Sequence, residues 1–345
     1  MKTKIKISGK RIIIGIILFV LIPLVLSVSF QSCQKDEIVA GQEESYLKSA
    51  SVPDYFTDII DRINELVVDG IINKGIGNSL ISKINNAAKS AEKGNTNAAV
   101  NQLNAFINEV NGLVNSRRLS EEQGMEMIVM AEDAVMLLHG SFVDPRDGNS
   151  YKVVRIGEQI WMAENLFATI YTDGTSIPNV TDNSAWAALT TGAYCWYNND
   201  IGNKSTYGAI YNWYTVNTGK LCPADWHVPD NIEWMQLEMA LGMTQEQADS
   251  SYWRGTDQGK QMKSTSGWYN DGNGNNSSGF SGLPGGMRYY NGGFVNIGSY
   301  GYWWVSGWYS NKFAWSRALC YINTKVAKAG YYKQQGFSVR CIKNN

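Results

Sequence analysis

Apolar residues recur at helical spacing between residues 53 and 140. Phe56, Ile59, Ile60 and Ile63 fall at i, i+3, i+4 and i+7, which predicts an amphipathic helix. Three further apolar stripes of this period follow. Residues typical of helix ends or starts separate the stripes: Gly70, Gly94 and Ser120. Four short helices joined by short turns predict a small all-α bundle.

The pattern changes at residue 141. Residues 151–156 alternate as a strand does, and residues 159–162 return after a Gly-Glu turn, which predicts a hairpin. Asp230 and Glu233 form a capping box for a helix. Short strands and long Gly/Asn loops follow. The pattern therefore predicts an α+β chain, in which a helical bundle precedes a mixed α/β domain with irregular long loops over residues 141–345.

The N-terminus has the three parts of a secretory signal. Five basic residues precede the apolar residues 12–28, and Gln31-Ser32 leads to Cys33. A Cys at that place resembles a lipobox, although Phe30 stands where Leu is usual. The resemblance implies cleavage after residue 32 and acylation of Cys33, which would anchor the chain to a membrane. The alternative is an uncleaved membrane helix, for which seventeen residues is short.

Residues 33–52 are polar and without period, so we expect a flexible tether. The string Gln34-Lys35-Asp36-Glu37 resembles the surface-export signal of Bacteroidota lipoproteins. That resemblance implies the outer membrane, with the protein facing the cell exterior. The alternative is a charged tether with no sorting role.

Composition separates the two predicted domains. All 12 Trp follow residue 139, so the bundle and the region after it should pack separate cores. The formal net charge of −1 argues against a nucleic-acid partner, because such proteins are usually strongly basic.

The bundle resembles the FIMAH family of helical modules in bacterial surface and secreted proteins. The resemblance rests on Gly70-Ile71-Ile72-Asn73-Lys74-Gly75-Ile76-Gly77-Asn78-Ser79-Leu80, on Gly94-Asn95 and on Leu103-Asn104-Ala105-Phe106-Ile107-Asn108. These modules have no established chemistry, so the resemblance implies a spacer or interaction module over residues 53–140.

Ordered blocks of the C-terminal region resemble the FISUMP family, named from the Fibrobacter succinogenes major paralogous domain. They include Gly157-Glu158-Gln159-Ile160-Trp161-Met162-Ala163-Glu164-Asn165-Leu166, Tyr194-Cys195-Trp196-Tyr197-Asn198-Asn199-Asp200, Cys222-Pro223-Ala224-Asp225-Trp226-His227-Val228-Pro229 and Ser338-Val339-Arg340-Cys341. The family has no assigned activity. The order of its blocks is similar to that of the C-type-lectin-like fold, which implies this fold for residues 141–345.

Four cysteines follow Cys33, and an oxidising compartment allows them three pairings. C-type-lectin-like folds usually staple an early helical region to the last strand, so the resemblance favours a bond between Cys222 and Cys341. Cys195 and Cys320 then remain, and a disulfide between them is the second expected pairing. The alternative is that cysteines stay as free buried thiols.

No residue pattern indicates an active site, and we expect no enzyme. A formylglycine-type oxidase needs two nearby thiolates. The cysteine nearest to Cys320 in the sequence is Cys341, which is already paired with Cys222 in the favoured disulfide. No zinc-ligand spacing is present. His139 and His227 are interpreted as structural, with His227 bonded to backbone. An enzyme of another type would need a deep polar pocket with an acid such as Glu164 or Asp225.

The candidate ligand-binding residues are aromatic. Trp308 and Tyr309 lie among small polar residues and are predicted to be exposed. Trp304 is the third candidate, because strand alternation would turn one ring of the Trp303-Trp304 pair outward.

Asp271 and Asn273 begin a string that resembles a calcium loop. Asn276 stands where Gly is required and Gly282 where a bidentate Glu is required, which excludes an EF-hand. A lectin-style calcium site stays open for this loop, beside the interpretation as a plain surface loop. No other metal or cofactor is predicted.

Together these observations predict a surface-exposed bacterial lipoprotein that acts as a non-enzymatic binding or adhesion module for glycan or protein ligands. The alternative is a structural or assembly subunit of a cell-surface complex. The membrane would be a partner through the lipid anchor.

Overall fold

The computed structural model describes residues 52–344. The predicted signal peptide at 1–32, the lipidation site Cys33 and nearly all of the tether at 33–52 lie outside the described residues. Within 52–344, no helix combines the length and the apolar character that a membrane crossing requires.

Four helices form the N-terminal bundle, as the apolar stripes predict. They are α1 (Val52–Val68), α2 (Lys74–Glu92), α3 (Thr96–Asn115) and α4 (Glu121–His139). The Asn73 and Asn95 side chains cap α2 and α3, and Ser120 forms a capping box with Gln123 at α4. Gly140 ends α4 in the left-handed conformation.

The bundle core consists of the side chains that the helical spacing places on one face. Phe56, Ile59 and Ile63 are buried among apolar residues of the other three helices. Gly124 allows α3 and α4 to approach closely, because a Cβ there would lie 2.1 Å from Cγ2 of Val114. This core is distinct from the buried clusters of the C-terminal domain.

The C-terminal domain is built from short strands and helices. The strands are β1 (Ser141–Val143), β2 (Ser150–Ile156), β3 (Gln159–Met162), β4 (Tyr194–Cys195), β5 (Ile210–Asn212), β6 (Trp226–His227), β7 (Tyr252–Arg254), β8 (Gly285–Arg288), β9 (Phe294–Ile297), β10 (Tyr300–Trp308), β11 (Phe313–Cys320), β12 (Val326–Tyr332), β13 (Gly336–Phe337) and β14 (Ile342–Lys343). The helices are α5 (Asn183–Ala187), α6 (Lys204–Tyr207), α7 (Trp213–Val216), α8 (Asn231–Ala240), α9 (Gln245–Asp249) and α10 (Gln258–Met262). Two 3₁₀ turns occupy Tyr197–Asn199 and Ile201–Asn203.

These strands form two sheets. The first has the order β1-β2-β3-β14-β6 and contains the predicted hairpin of β2 and β3. The second has the order β4-β5-β13-β8-β10-β11-β12-β7, with β9 beside β8. Most neighbouring strands are antiparallel, and β10 runs parallel to β8. The α+β class, with the helical bundle first and the sheet-rich domain second, is confirmed.

Both faces of the second sheet are covered around β10. On one face, Trp303 lies 5.5 Å from the ring of Phe280, which also contacts Trp161 and Trp234. On the other face, the rings of Trp304 and Phe337 are 4.3 Å apart. Helix α8, capped by Asp230 and Glu233 as predicted, contributes Trp234 to the first of these clusters.

The bundle continues into the C-terminal domain without a linker. Ser141 begins β1 directly after Gly140, and the Val153 N–H donates to the carbonyl of Gly140. Arg155 on β2 reaches back to Asp58 on α1, with 2.7 Å between Nη2 and Oδ2. Its guanidinium also lies 4.6 Å from the ring centre of Tyr55.

A second ion pair crosses the same junction. Nζ of Lys343 on β14 lies 2.8 Å from Oδ1 of Asp133 on α4. The Tyr55 hydroxyl donates to the other oxygen of Asp133. Both ion pairs involve a largely buried residue, so solvent screens them less than exposed pairs.

The disulfide between Cys222 and Cys341, which the family resemblance implied, is present. It ties the segment before β6 to the segment before β14. The pairing of Cys195 with Cys320 is wrong, because Cys195 is a free thiol inside the domain. Burial raises the pKa of Cys195 to about 12, so this thiol stays protonated.

Candidate functional site

Six aromatic residues gather at one end of the larger sheet, where β8, β10 and β12 finish and β11 starts. We call this cluster the aromatic end. It comprises Tyr289, Tyr290, Trp308, Tyr309, Phe313 and Tyr332. Strand topology produces it, since β10 is parallel to β8 and antiparallel to β11. The three chain segments that carry these rings are residues 289–293, 308–313 and 331–335.

Four rings of the aromatic end face solvent. The exposed fractions are 65% for Trp308, 56% for Tyr309, 41% for Tyr290 and 38% for Tyr332. An exposed ring adds little to core stability, and a group of them at one place is typical of a binding surface.

Four of the six rings contact one another in a row. Ring centres are 4.4 Å apart for Tyr289 and Tyr290, 5.1 Å for Tyr290 and Tyr332, and 4.6 Å for Tyr332 and Phe313. These contacts hold the side chains in place before a ligand arrives, which reduces the entropy lost on binding.

A local irregularity in β10 determines where Trp308 lies. The register with β11 shifts between Trp304 and Trp308, and Gly307 has φ +96°, which favours glycine. Such a bulge changes the direction in which the following side chains point. The turn is closed by the N–H groups of Tyr309 and Ser310, which both donate to the Phe313 carbonyl.

The sequence identified only part of this site. Trp308 and Tyr309 are exposed, in agreement with their small polar neighbours. Tyr290 and Tyr332 were missed, because their proximity depends on the pairing of β8, β10, β11 and β12. The only local signal was the Asn-Gly-Gly turn that follows Tyr289-Tyr290.

Trp304 is not part of the site, and the prediction that it contacts a ligand is wrong. Its exposed fraction is 0%, and its indole N–H donates to the carbonyl of Tyr211. The alternation argument failed because both faces of β10 are covered, so Trp303 and Trp304 are both core residues.

The loop at residues 264–282, for which a calcium site stayed open, is organised by an ammonium group. Nζ of Lys263 donates to the carbonyls of Gly272, Cys320 and Asn323 at 2.7, 3.0 and 3.1 Å. The Lys263 residue is buried, and this burial, with Lys260 nearby, lowers its pKa to about 8. A fixed cation of the protein therefore already occupies the oxygen cage beneath the loop.

Asp271 and Asn273 do not converge on a metal position. Asp271 is exposed, and the side-chain oxygen of Asn273 accepts the N–H of Trp268. In the described part of the chain, no three or more His, Cys, Asp or Glu side chains are grouped so that they could hold a metal ion.

His227 is bonded to side chains, so the expectation of a backbone partner is wrong. Its Nε2 lies 2.6 Å from Oε1 of Glu233, and its Nδ1 lies 2.6 Å from Oδ1 of Asn344. The bond to Glu233 raises the pKa of His227. Glu233 also caps α8 through the Asp230 N–H, so this imidazole supports a helix start.

The acids considered for catalysis also have structural contacts. Glu164 accepts the backbone N–H of Lys152, and the backbone carbonyl of Asp225 accepts the N–H of Asn344. An open depression of about 580 Å³ lies elsewhere, at the turn between α3 and α4. Neither acid lines it.

Comparison with known families gives two matches. The family model for the Fibrobacter succinogenes major domain matches residues 154–343, and the FIMAH domain model matches residues 56–134. Their order along the chain is the one that the sequence motifs predict, and the two families indicate a cell-surface module. A search of curated proteins and a search of solved structures each found no match.

Proposed function

The chain belongs to the Fibrobacter succinogenes major domain family, and from that premise we propose that it is a surface-exposed bacterial lipoprotein with a non-enzymatic binding role. Glycan or protein ligands would bind at the aromatic end. Acylated Cys33 would hold the chain in the outer membrane, facing the exterior, and the helical bundle would act as the stalk.

The observation that carries the binding role is the group of rings at the aromatic end, four of which are exposed and four of which are held in place by contact with one another. Aromatic faces stack on sugar rings and anchor protein interfaces, and large aromatic residues dominate binding energy at such surfaces. Trp308 and Tyr309 are the two most exposed rings there.

A binding assay tests the role. The mature chain with Cys33→Ser, which cannot be acylated, is applied to glycan and protein arrays beside a Trp308→Ala/Tyr309→Ala variant. We expect the variant to bind its best ligand roughly tenfold more weakly or worse. Tyr252→Ala is the matched control, because Tyr252 is equally exposed but lies on β7, away from the aromatic end.

Two results would count against the proposal. Equal binding by the Trp308→Ala/Tyr309→Ala variant and the parent chain would remove the aromatic end from the function. Absence of any array ligand, together with one stable partner in pull-downs, would favour the alternative of an assembly subunit.

The lipid anchor has its own test. Mass spectrometry of the membrane fraction should find a mature chain that begins at an acylated Cys33. A chain that retains residues 1–32, or carries an unmodified sulfur at Cys33, would contradict the anchoring.

A further inference from the structure

The three segments of the aromatic end are rich in rings and amides and contain no acidic residue. Their sequences are Tyr-Tyr-Asn-Gly-Gly at 289–293, Trp-Tyr-Ser-Asn-Lys-Phe at 308–313 and Tyr-Tyr-Lys-Gln-Gln at 331–335. Their only charged side chains are those of Lys312 and Lys333. The positive charge is therefore not balanced within the segments themselves.

The two lysines are direct neighbours across the sheet. The Lys333 N–H donates to the Lys312 carbonyl at 3.1 Å, one step beyond the paired residues Phe313 and Tyr332. Like charges at such positions repel, which disfavours the pairing of the strands. Within residues 52–344, neither ammonium has an ion pair, and that of Lys333 rests 4.6 Å from the ring centre of Trp213.

More positive charge lies behind the exposed rings. The ring of Tyr309 packs 4.5 Å from that of Trp315, and the ammonium of Lys328 lies 5.5 Å from the ring centre of Trp315. The neighbours of Lys328 on this face are Arg317, paired with it across the strands, and Arg254 on β7.

Two of these cations, Arg254 and Arg317, share one buried carboxylate. Glu238 accepts from Arg254 at 2.5 Å and from Arg317 at 2.8 Å. Lys328 donates to a backbone carbonyl, that of Asp249, and the Asp249 carboxylate is exposed. Gly292 of segment 289–293 packs against Asn183, and the carboxylate of the preceding residue, Asp182, is used to cap α5.

From this arrangement we infer that the ligand of the aromatic end is an anionic polysaccharide, with uronate or sulfate groups, and that Lys312 and Lys333 determine this preference. The inference rests on the proposed binding function and names its ligand class. Rings stack on the sugars, and the lysines attract their acidic groups. Charges act over about 10 Å at moderate ionic strength, so the ammonium groups need not touch the stacked sugar.

Matched polysaccharides separate charge from sugar structure. Dextran sulfate is compared with dextran, and carboxymethylcellulose with hydroxyethylcellulose, by affinity electrophoresis of the Cys33→Ser chain. We expect retention by the charged member of at least one pair. This retention should weaken when NaCl is raised from about 0.05 M to about 0.5 M.

Variants assign the preference to residues. Lys312→Gln/Lys333→Gln should bind the charged polymer roughly five- to tenfold more weakly, with a shallower salt dependence. Lys312→Gln alone, at an exposed position, should show part of this loss and should leave stability within about 0.5 kcal/mol of the parent. Lys152→Gln, an exposed lysine on the other sheet, is the control and should bind as the parent does.

The outcomes distinguish the anionic preference from the proposed binding function on which it rests. Retention by neutral polymers alone, or charged retention that the lysine variants leave unchanged, would overturn the anionic preference while keeping a glycan-binding role. Retention by no polymer of the set would overturn the anionic preference, while the binding function itself would still be decided by the glycan and protein arrays. Loss of all retention in Trp308→Ala, beside selective loss of charged retention in the lysine variants, would support both.

Discussion

Replacing Lys263 with methionine tests what holds the loop at residues 264–282. The lysine is buried, and its ammonium donates to the carbonyls of Gly272, Cys320 and Asn323, which come from two distant parts of the chain. Methionine preserves the length and the apolar stem of the side chain. It removes the positive charge and all three donors, so packing changes little and the carbonyl cage is left empty.

The expected cost follows from those three bonds. A hydrogen bond to a charged group contributes about 1.5–3 kcal/mol, and a buried carbonyl left without a donor costs about 1–3 kcal/mol. The methionine variant no longer buries an ammonium group, and the desolvation penalty of several kcal/mol that it avoids offsets part of this loss. We therefore expect Lys263→Met to lower the free energy of unfolding by about 3–5 kcal/mol, the balance of three lost charged hydrogen bonds against the ammonium desolvation that the variant avoids.

Urea unfolding at pH 7, followed by tryptophan fluorescence, measures this change. Lys260→Met is the matched control, since Lys260 is an exposed lysine on the same helix and should change stability by about 0.5 kcal/mol or less. Hydrogen exchange locates the effect, and amides of residues 264–282 should exchange faster in Lys263→Met than in Lys260→Met.

Two results would refute the reasoning. Equal stability of Lys263→Met and Lys260→Met would show that the cage contributes nothing. Stabilisation of the parent chain by millimolar calcium, reversed by a chelator and accompanied by slower hydrogen exchange at residues 264–282, would show that this loop binds a metal after all.

Two further predictions concern the rest of the C-terminal domain. Cys222 and Cys341 are separated by 119 residues, and a loop of that size corresponds to about 5 kcal/mol in the chain-entropy model. Cys222→Ala/Cys341→Ala should lose up to that amount in urea unfolding, whereas Cys195→Ala should lose far less. His227 has a raised pKa through Glu233, so its contribution is complete below about pH 6.5 and is lost as pH rises through the folded-state pKa. Thermal unfolding of His227→Gln should therefore differ from the parent most near pH 6 and progressively less as the pH is raised; a difference that stays constant with pH would contradict the assignment.

Local signals were enough to predict the bundle. Helical spacing gives the buried face of α1, and Ser120 with Gln123 marks the start of α4. The predicted capping box of Asp230 and Glu233 was confirmed for the same reason, because all of its hydrogen bonds lie within one turn. Such elements are readable because the residues that stabilise them are neighbours in sequence.

Features that depend on distant pairing were not predictable. Trp304 was assigned outward because alternation cannot show that a sheet is covered on both faces. Tyr290 and Tyr332 meet only once β8, β10, β11 and β12 are in register. The three carbonyls around Lys263 leave no mark in the sequence, since any residue can supply a carbonyl.

The place of β14 dictates the order in which the two domains can fold. Ile342 pairs with both β3 and β6, so the smaller sheet stays split until almost the last residues of the domain are available for folding. The helices of the bundle follow one another in the chain through short turns, so the bundle can form much earlier. On the proposed export route, a chain that emerges with its N-terminus first thus carries a finished bundle ahead of an unclosed domain, with Cys222 waiting as a reduced thiol for its partner.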